Sequence, residues 1–167
     1  QVHTHEIAVL LSFETNLPFD EWDGWREFRK LPLEQQKVAL RDPATRERLA
    51  DIASRPYQGP EVYGAAGKPP EWEWIFLYDR IEGPHRSLAD LARERGVRPI
   101  DVMIDEALAR DFKVFFRQVA VNGDMDAVLG MMRHPRAVVT FSDSGAHVSQ
   151  IMDNSIHTHL LRYWVRE

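Results

Sequence analysis

Residues 138–147 read Val-Val-Thr-Phe-Ser-Asp-Ser-Gly-Ala-His, an apolar run that opens into a small polar cluster with one carboxylate, Asp143. In barrels and open α/β sheets, reacting groups sit just past the C-terminal ends of strands. A carboxylate there can hold a metal ion or accept a proton from a metal-bound water. The same residue types also shape turns through local hydrogen bonds, so the phrase supports both a reactive Asp143 and a purely structural turn. Ser144, His147 and Asp143 are the atoms of a serine-hydrolase triad, but the G-x-S-x-G elbow is missing. Triad members also come, as a rule, from separated parts of a chain.

Other groups could do chemistry. His3-Thr4-His5 places two imidazoles at i and i+2, one face of a strand, where both could grip one metal. The pair precedes the apolar run 6–13, and the sequence favours an exposed terminal pair. His157 and His159, two apart on an expected helix, point to different sides and read as surface or packing residues. Residues 87–110 imitate a helix-turn-helix, yet the second helix offers Asp101, Asp105 and Glu106, which phosphate would repel. Trp22, Trp25 and Trp164 lie on apolar stripes; Trp72 and Trp74 flank a loop, where core packing is favoured over covering a cleft.

The elements that would position these groups follow from periodicity and caps. The run 6–13 predicts a buried strand, and Phe19, Trp22, Trp25 and Phe28 predict an amphipathic helix over 19–31. Further helices are expected over 33–41 and from Pro43 to about 54, with Asp42 as N-cap. Residues 56–73 hold four Pro and three Gly and read as a loop. A strand over 74–78 leads to a helix capped by Ser87, with Asp90 three residues on, and ended by Gly96. Pro99 starts the next helix. Strand 114–119, helix 122–133, strand 137–141 and a final helix at 155–167 complete the pattern. From Trp74 onward strands alternate with helices, which predicts a parallel sheet with crossover helices.

The chain has 167 residues, 44% hydrophobic and 28% charged, and a net charge of −5. That suits one soluble domain with a real core. The negative charge argues against generic binding to nucleic acid or anionic membranes, and no apolar run approaches the roughly 20 residues of a membrane span. Cysteine is absent, which fits a reducing, cytoplasmic compartment and leaves no thiolate ligands. The chain opens at Gln1-Val2 without Met, shows no signal peptide, and stops within a helix that has no capping signal. The expectation is a piece of a longer chain.

Several phrases resemble one family. Ser87-Leu-Ala-Asp-Leu-Ala-Arg-Glu-Arg-Gly-Val-Arg-Pro-Ile-Asp101 resembles a recurring phrase of the D-aminoacylase branch of the amidohydrolases. The run Met131-Met-Arg-His-Pro135 through Val138-Val-Thr-Phe-Ser-Asp143 does too. The ending, Ser142-Asp-Ser-Gly-Ala-His147 with Thr158-His-Leu-Leu161 and Trp164-Val-Arg-Glu167, is similar to members called N-acyl-D-amino-acid deacylase or amidohydrolase family 3. Leu31-Pro-Leu-Glu34 and Leu40-Arg-Asp-Pro43 look like the same branch, so the likeness spans nearly the whole chain.

The resemblance implies an α/β fold: a partial (β/α) TIM-barrel-type segment, with 74–167 as late barrel βα units and 14–73 as a helical insertion. In isolation it could rearrange to α+β, and its open sheet edges could pair in a homo-oligomer. The implied activity is hydrolysis of the linear amide of a small N-acyl-D-amino acid, with zinc in the full-length parent. Asp143 would be the catalytic and metal-binding position, with Ser142, Ser144 and His147 lining the substrate. The family's HxH pair follows the first barrel strand and lies far upstream of the late Asp. His3 and His5 are therefore not that pair. A lone carboxylate cannot hold a catalytic zinc, which takes about three protein ligands, so the isolated chain is expected to be inactive. The alternatives are a non-enzymatic helical binding module and a nucleic-acid-binding helix-turn-helix domain.

Overall fold

Asp42 shows how local sequence sets the elements: its carboxylate accepts the Thr45 N–H at 2.8 Å and Pro43 occupies the first helical position. The helix thus starts where its orphan donors are met. The computed structural model describes residues 1–59, 70–140 and 155–166. The elements are β1 (Ile7–Leu11), α1 (Trp25–Arg29), α2 (Leu33–Arg41), α3 (Pro43–Ala53), β2 (Ile75–Tyr78), α4 (Leu88–Arg95), α5 (Pro99–Ala109), β3 (Phe115–Val121), α6 (Met125–Met132) and α7 (Ile156–His159). The fold is mixed α/β with a small three-stranded antiparallel sheet in the order β1–β3–β2, which corrects the parallel sheet expected from the alternation of strands and helices after Trp74.

The chain forms two compact units. The first joins Gln1–Leu10 to Arg117–Glu167, and the second is the continuous stretch Leu11–Phe116. The boundary runs through β1 and β3, whose ends Leu11 and Phe115–Phe116 belong to the second unit.

The second unit holds a dense core of Phe13, Phe19, Trp25, Leu49, Ile75, Leu88, Ile100, Met103 and Phe112, each nearly inaccessible to water. Phe19 and Phe28 flank the Trp25 ring at 4.1 and 5.4 Å between centroids. The Trp25 indole N–H donates to the Leu49 carbonyl at 2.8 Å. Arg29 ties the turn before α1 to its surroundings, donating to the carbonyl of Thr15 at 2.8 Å and to the Gln36 side chain at 3.0 Å. It also pairs with Asp20 at 3.1 Å. Burial raises the Asp20 carboxyl above its ordinary range, and burial lowers the Arg29 guanidinium.

The helix expected over 19–31 is shorter, Trp25–Arg29. The Asp20 carboxylate accepts the Leu17 N–H at 2.8 Å, and Gly24 adopts φ +90°, which interrupts the helix before Trp25. A Cβ at Gly24 would lie 2.6 Å from Ile52 Cδ1, so this position needs glycine for both reasons. The aromatic stripe remains buried, because turns as well as helices can aim every third residue inward.

The expected Ser87 cap of α4 forms: its hydroxyl accepts the Asp90 N–H at 3.0 Å, and Gly96 closes the helix at φ +67°. α4 packs on α5 and on β2. α6 is shorter than expected, since Asp124 rather than Asn122 caps it, accepting from Asp126 and Ala127. Asn122 sits at φ +62°, a conformation that ends β3. The strand expected over 137–141 is reduced, among the described residues, to one parallel bridge between Val2 and Val139. The last helix begins as α7 and widens into π-helical turns over Leu160–Val165.

Candidate functional site

Val2 N–H donates to the Val138 carbonyl at 3.0 Å, which joins the residues leading to Asp143 to the start of the chain in parallel register. Asp143, Ser142, Ser144 and His147 themselves lie outside the described residues.

What the structure does bring together in the first unit is a set of histidines. His3 and His5 are 3% and 6% exposed, which corrects the reading of an exposed terminal pair. Their rings meet edge to face at 5.6 Å between centroids. His5 meets His159, from the end of α7, at 4.6 Å. His159 in turn stacks on Tyr163 at 5.1 Å. His157, on the same helix, is exposed. The His5 ring also hydrogen-bonds the Glu6 carbonyl through Nδ1 at 2.7 Å.

The arrangement is fixed by bonds from the residue between the two histidines. The Thr4 hydroxyl, fully buried, donates to the Ile156 carbonyl at 3.0 Å. The Trp164 indole N–H donates to the Thr4 carbonyl at 2.7 Å. Glu6 pairs with Arg117 at the head of β3. Neutral imidazoles are common metal ligands. Among the described residues, no group of three His, Asp or Glu side chains is set to hold a metal ion.

The i, i+2 spacing of His3 and His5 was visible locally. Their meeting with His159 was not, because the contact closes over more than 150 residues. The only available signal was the excess of His at both ends of the chain.

The second unit carries a cleft of about 570 Å³ near the end of α3. Its wall is Trp22, 3% exposed, stacked on the half-buried Tyr57 at 6.3 Å and 24°. Ile52, Arg26, Arg55, Glu21 and Gly59 are among its other lining residues. Trp22 Nε1 and the Tyr57 hydroxyl are both buried and neither has a hydrogen-bond partner. Trp74, expected in the core, is 39% exposed at the end of a short 3₁₀ turn, Trp72–Trp74, just ahead of β2, whose buried residues are Ile75 and Leu77.

On α5, Asp101 and Glu106 are buried between arginines. Arg46 and Arg98 reach Asp101 at 3.0 and 2.7 Å, while Arg95 and Arg110 pair with Glu106. Burial alone would raise both carboxyls, but the arginine hydrogen bonds outweigh it and hold both below their ordinary values. No helix among the described residues is long and apolar enough to cross a membrane.

Comparison with known proteins returns no matching family model, no similar curated protein and no similar solved structure.

Proposed function

We propose that this chain is part of a metal-dependent amidohydrolase that cleaves the amide of N-acyl-D-amino acids, releasing a carboxylate and a free D-amino acid. The order of the family-like phrases, Ser87–Asp101, then Met131–Asp143, then Thr158–Glu167, supports the reading. The structural observation that supports it most is the parallel bridge between Val2 and Val139. It gives the residues ahead of Asp143 the parallel neighbour that a barrel strand requires. In this reading residues 74–167 would be the late part of a barrel that takes its parallel form only in the whole protein, since the sheet here is antiparallel, and the sheet edges at β1 and β2 would meet the rest of the protein or a second copy. The location would be cytoplasmic.

In the proposed reaction the Asp143 carboxylate takes the proton of the attacking water, and Ser142, Ser144 and His147 line the substrate. Zinc in the whole protein would polarise the scissile carbonyl and acidify the water. The described residues do not by themselves fit that ion, so the role assigned to this chain is the proton transfer alone. The test is a longer protein containing these residues. Asp143→Asn is expected to lower kcat/KM for N-acetyl-D-amino acids by about 10²-fold or more, with the fold retained by circular dichroism. Full activity in that variant would contradict the role of Asp143, and turnover by the 167-residue chain with stoichiometric zinc would contradict its being an incomplete part of the enzyme.

A helical binding module is the second reading. The cleft at Trp22 and Tyr57, within the helical segment, favours it.

A further inference from the structure

Buried polar groups in native proteins are hydrogen-bonded in the great majority of cases. Trp22 Nε1 and the Tyr57 hydroxyl depart from this together, on two stacked rings that wall one cleft. Both residues line the same cleft, and a molecule seated there can supply the missing partners. The cleft, about 570 Å³, lies in the size range of small-molecule sites.

The chemistry of the occupant follows from what the site lacks. An indole N–H can only donate, and a phenol hydroxyl donates as readily as it accepts. The cations at the rim are Arg26 and Arg55. The carboxylates nearby are already engaged: Glu21 and Asp23 each pair with Arg26 at 3.3 Å, and Asp51 pairs with Arg55. The groups still seeking a partner are therefore donors, and they call for an acceptor. The ring faces of Trp22 and Tyr57, with Ile52, call for a flat apolar body.

We infer that this cleft is a binding site for a small aromatic carboxylate. Tyr57 serves as its gate. Both partnerless atoms are sealed from water with the rings as they stand, so the ligand enters as the Tyr57 ring swings outward and the carboxylate then bonds the indole N–H and the phenol. Gly59 holds the closed position: a Cβ there would lie 2.2 Å from the Tyr57 hydroxyl oxygen and 2.8 Å from Cε2. Any larger residue at 59 must push the phenol away from its seat. The inference concerns the second unit alone and holds whichever reading of the whole protein is right.

The chain has five tryptophans, so its indole N–H groups can be followed individually by NMR on labelled protein. Titration with sodium benzoate is expected to move the Trp22 indole signal saturably, with a dissociation constant of about a millimolar. Trp22→Phe, which keeps an aromatic ring and removes the N–H, identifies that signal and should weaken benzoate about tenfold. Tyr57→Phe, a milder change, should weaken it by a similar factor. Gly59→Ala should tighten benzoate by opening the gate. Benzylammonium should move no indole signal. No saturable shift of the Trp22 signal with benzoate overturns the site. An equal response to benzylammonium overturns the carboxylate assignment, and unchanged affinity in Tyr57→Phe overturns the role of the phenol. Because the readout is binding in the second unit, failure here leaves the Asp143 reaction to stand or fall by its own assay.

Discussion

Trp25 carries more of the second unit than any catalytic-looking residue does. Its ring is wholly buried between Phe19 and Phe28, and its one polar atom reaches the Leu49 carbonyl. Trp25→Ala is expected to cost roughly 3–5 kcal/mol, because the cavity left among aromatic rings cannot collapse. Trp25→Phe should cost less, the main loss being the partner of a buried carbonyl at about 1–3 kcal/mol. Urea unfolding of the two variants against the parent chain measures both. A loss in Trp25→Ala no larger than in Trp25→Phe would mean that the hydrogen bond, not the packing, dominates. His3 and His5 illustrate a different lesson at this scale. Their side chains are polar and near a chain end, so local reasoning sends them to solvent, whereas the Thr4 bonds to Ile156 and Trp164 draw that segment inside.

At the scale of elements, α5 makes the pH dependence of the second unit predictable. Asp101 and Glu106 have carboxyls held below their ordinary values by their arginine partners. A carboxyl depressed in the folded state stabilises the protein above its unfolded pKa of about 4 and loses that effect as the pH falls through the folded value. The stability of the chain should therefore drop below about pH 4. Asp101→Asn should be less stable than the parent at pH 7, and the gap should narrow as acid is added. Thermal unfolding midpoints from pH 7 down to about 2.5 test this. A gap that widens in acid would reverse the sign of the argument.

The elements that could be read from sequence share one property: their signals are local. α2, α3 and α4 begin and end at Pro, Asp, Ser or Gly positions that act within four residues, and α5 begins at Pro99. α1 was overdrawn because three-residue aromatic spacing fits turns as well as helices, and only the conformation of Gly24 distinguishes them. α6 was drawn too early because Asn122 and Asp124 are both capable caps, and the end of β3 decides between them. The phrase around Asp143 lies outside the described residues, and the histidines that gather in the first unit were not legible. Nothing within a short window relates residue 5 to residue 159.

For the whole molecule, the first unit depends on bonds that join distant parts of the sequence. Trp164 donates to Thr4, and Thr4 donates to Ile156. Trp164→Phe keeps the ring and leaves the buried Thr4 carbonyl without its donor, at an expected cost of about 1–3 kcal/mol. Thr4→Val removes the second bond. Because both bonds meet at one residue, the double variant should cost measurably less, or more, than the sum of the singles. Chemical denaturation of the four proteins closes that cycle. Strict additivity would mean that the two bonds act independently.

The same two bonds set an order of events during synthesis. A ribosome releases the chain from its N-terminus, and domains commonly fold as their residues emerge. The second unit is continuous and is complete once Phe116 has left the tunnel. Thr4, by contrast, waits for Ile156 and Trp164, made more than 150 residues later. Throughout that interval the nascent segment bearing His3 and His5 has no native place to go. Contacts of such long sequence separation form slowly, so the segment around Thr4 settles after the second unit has folded.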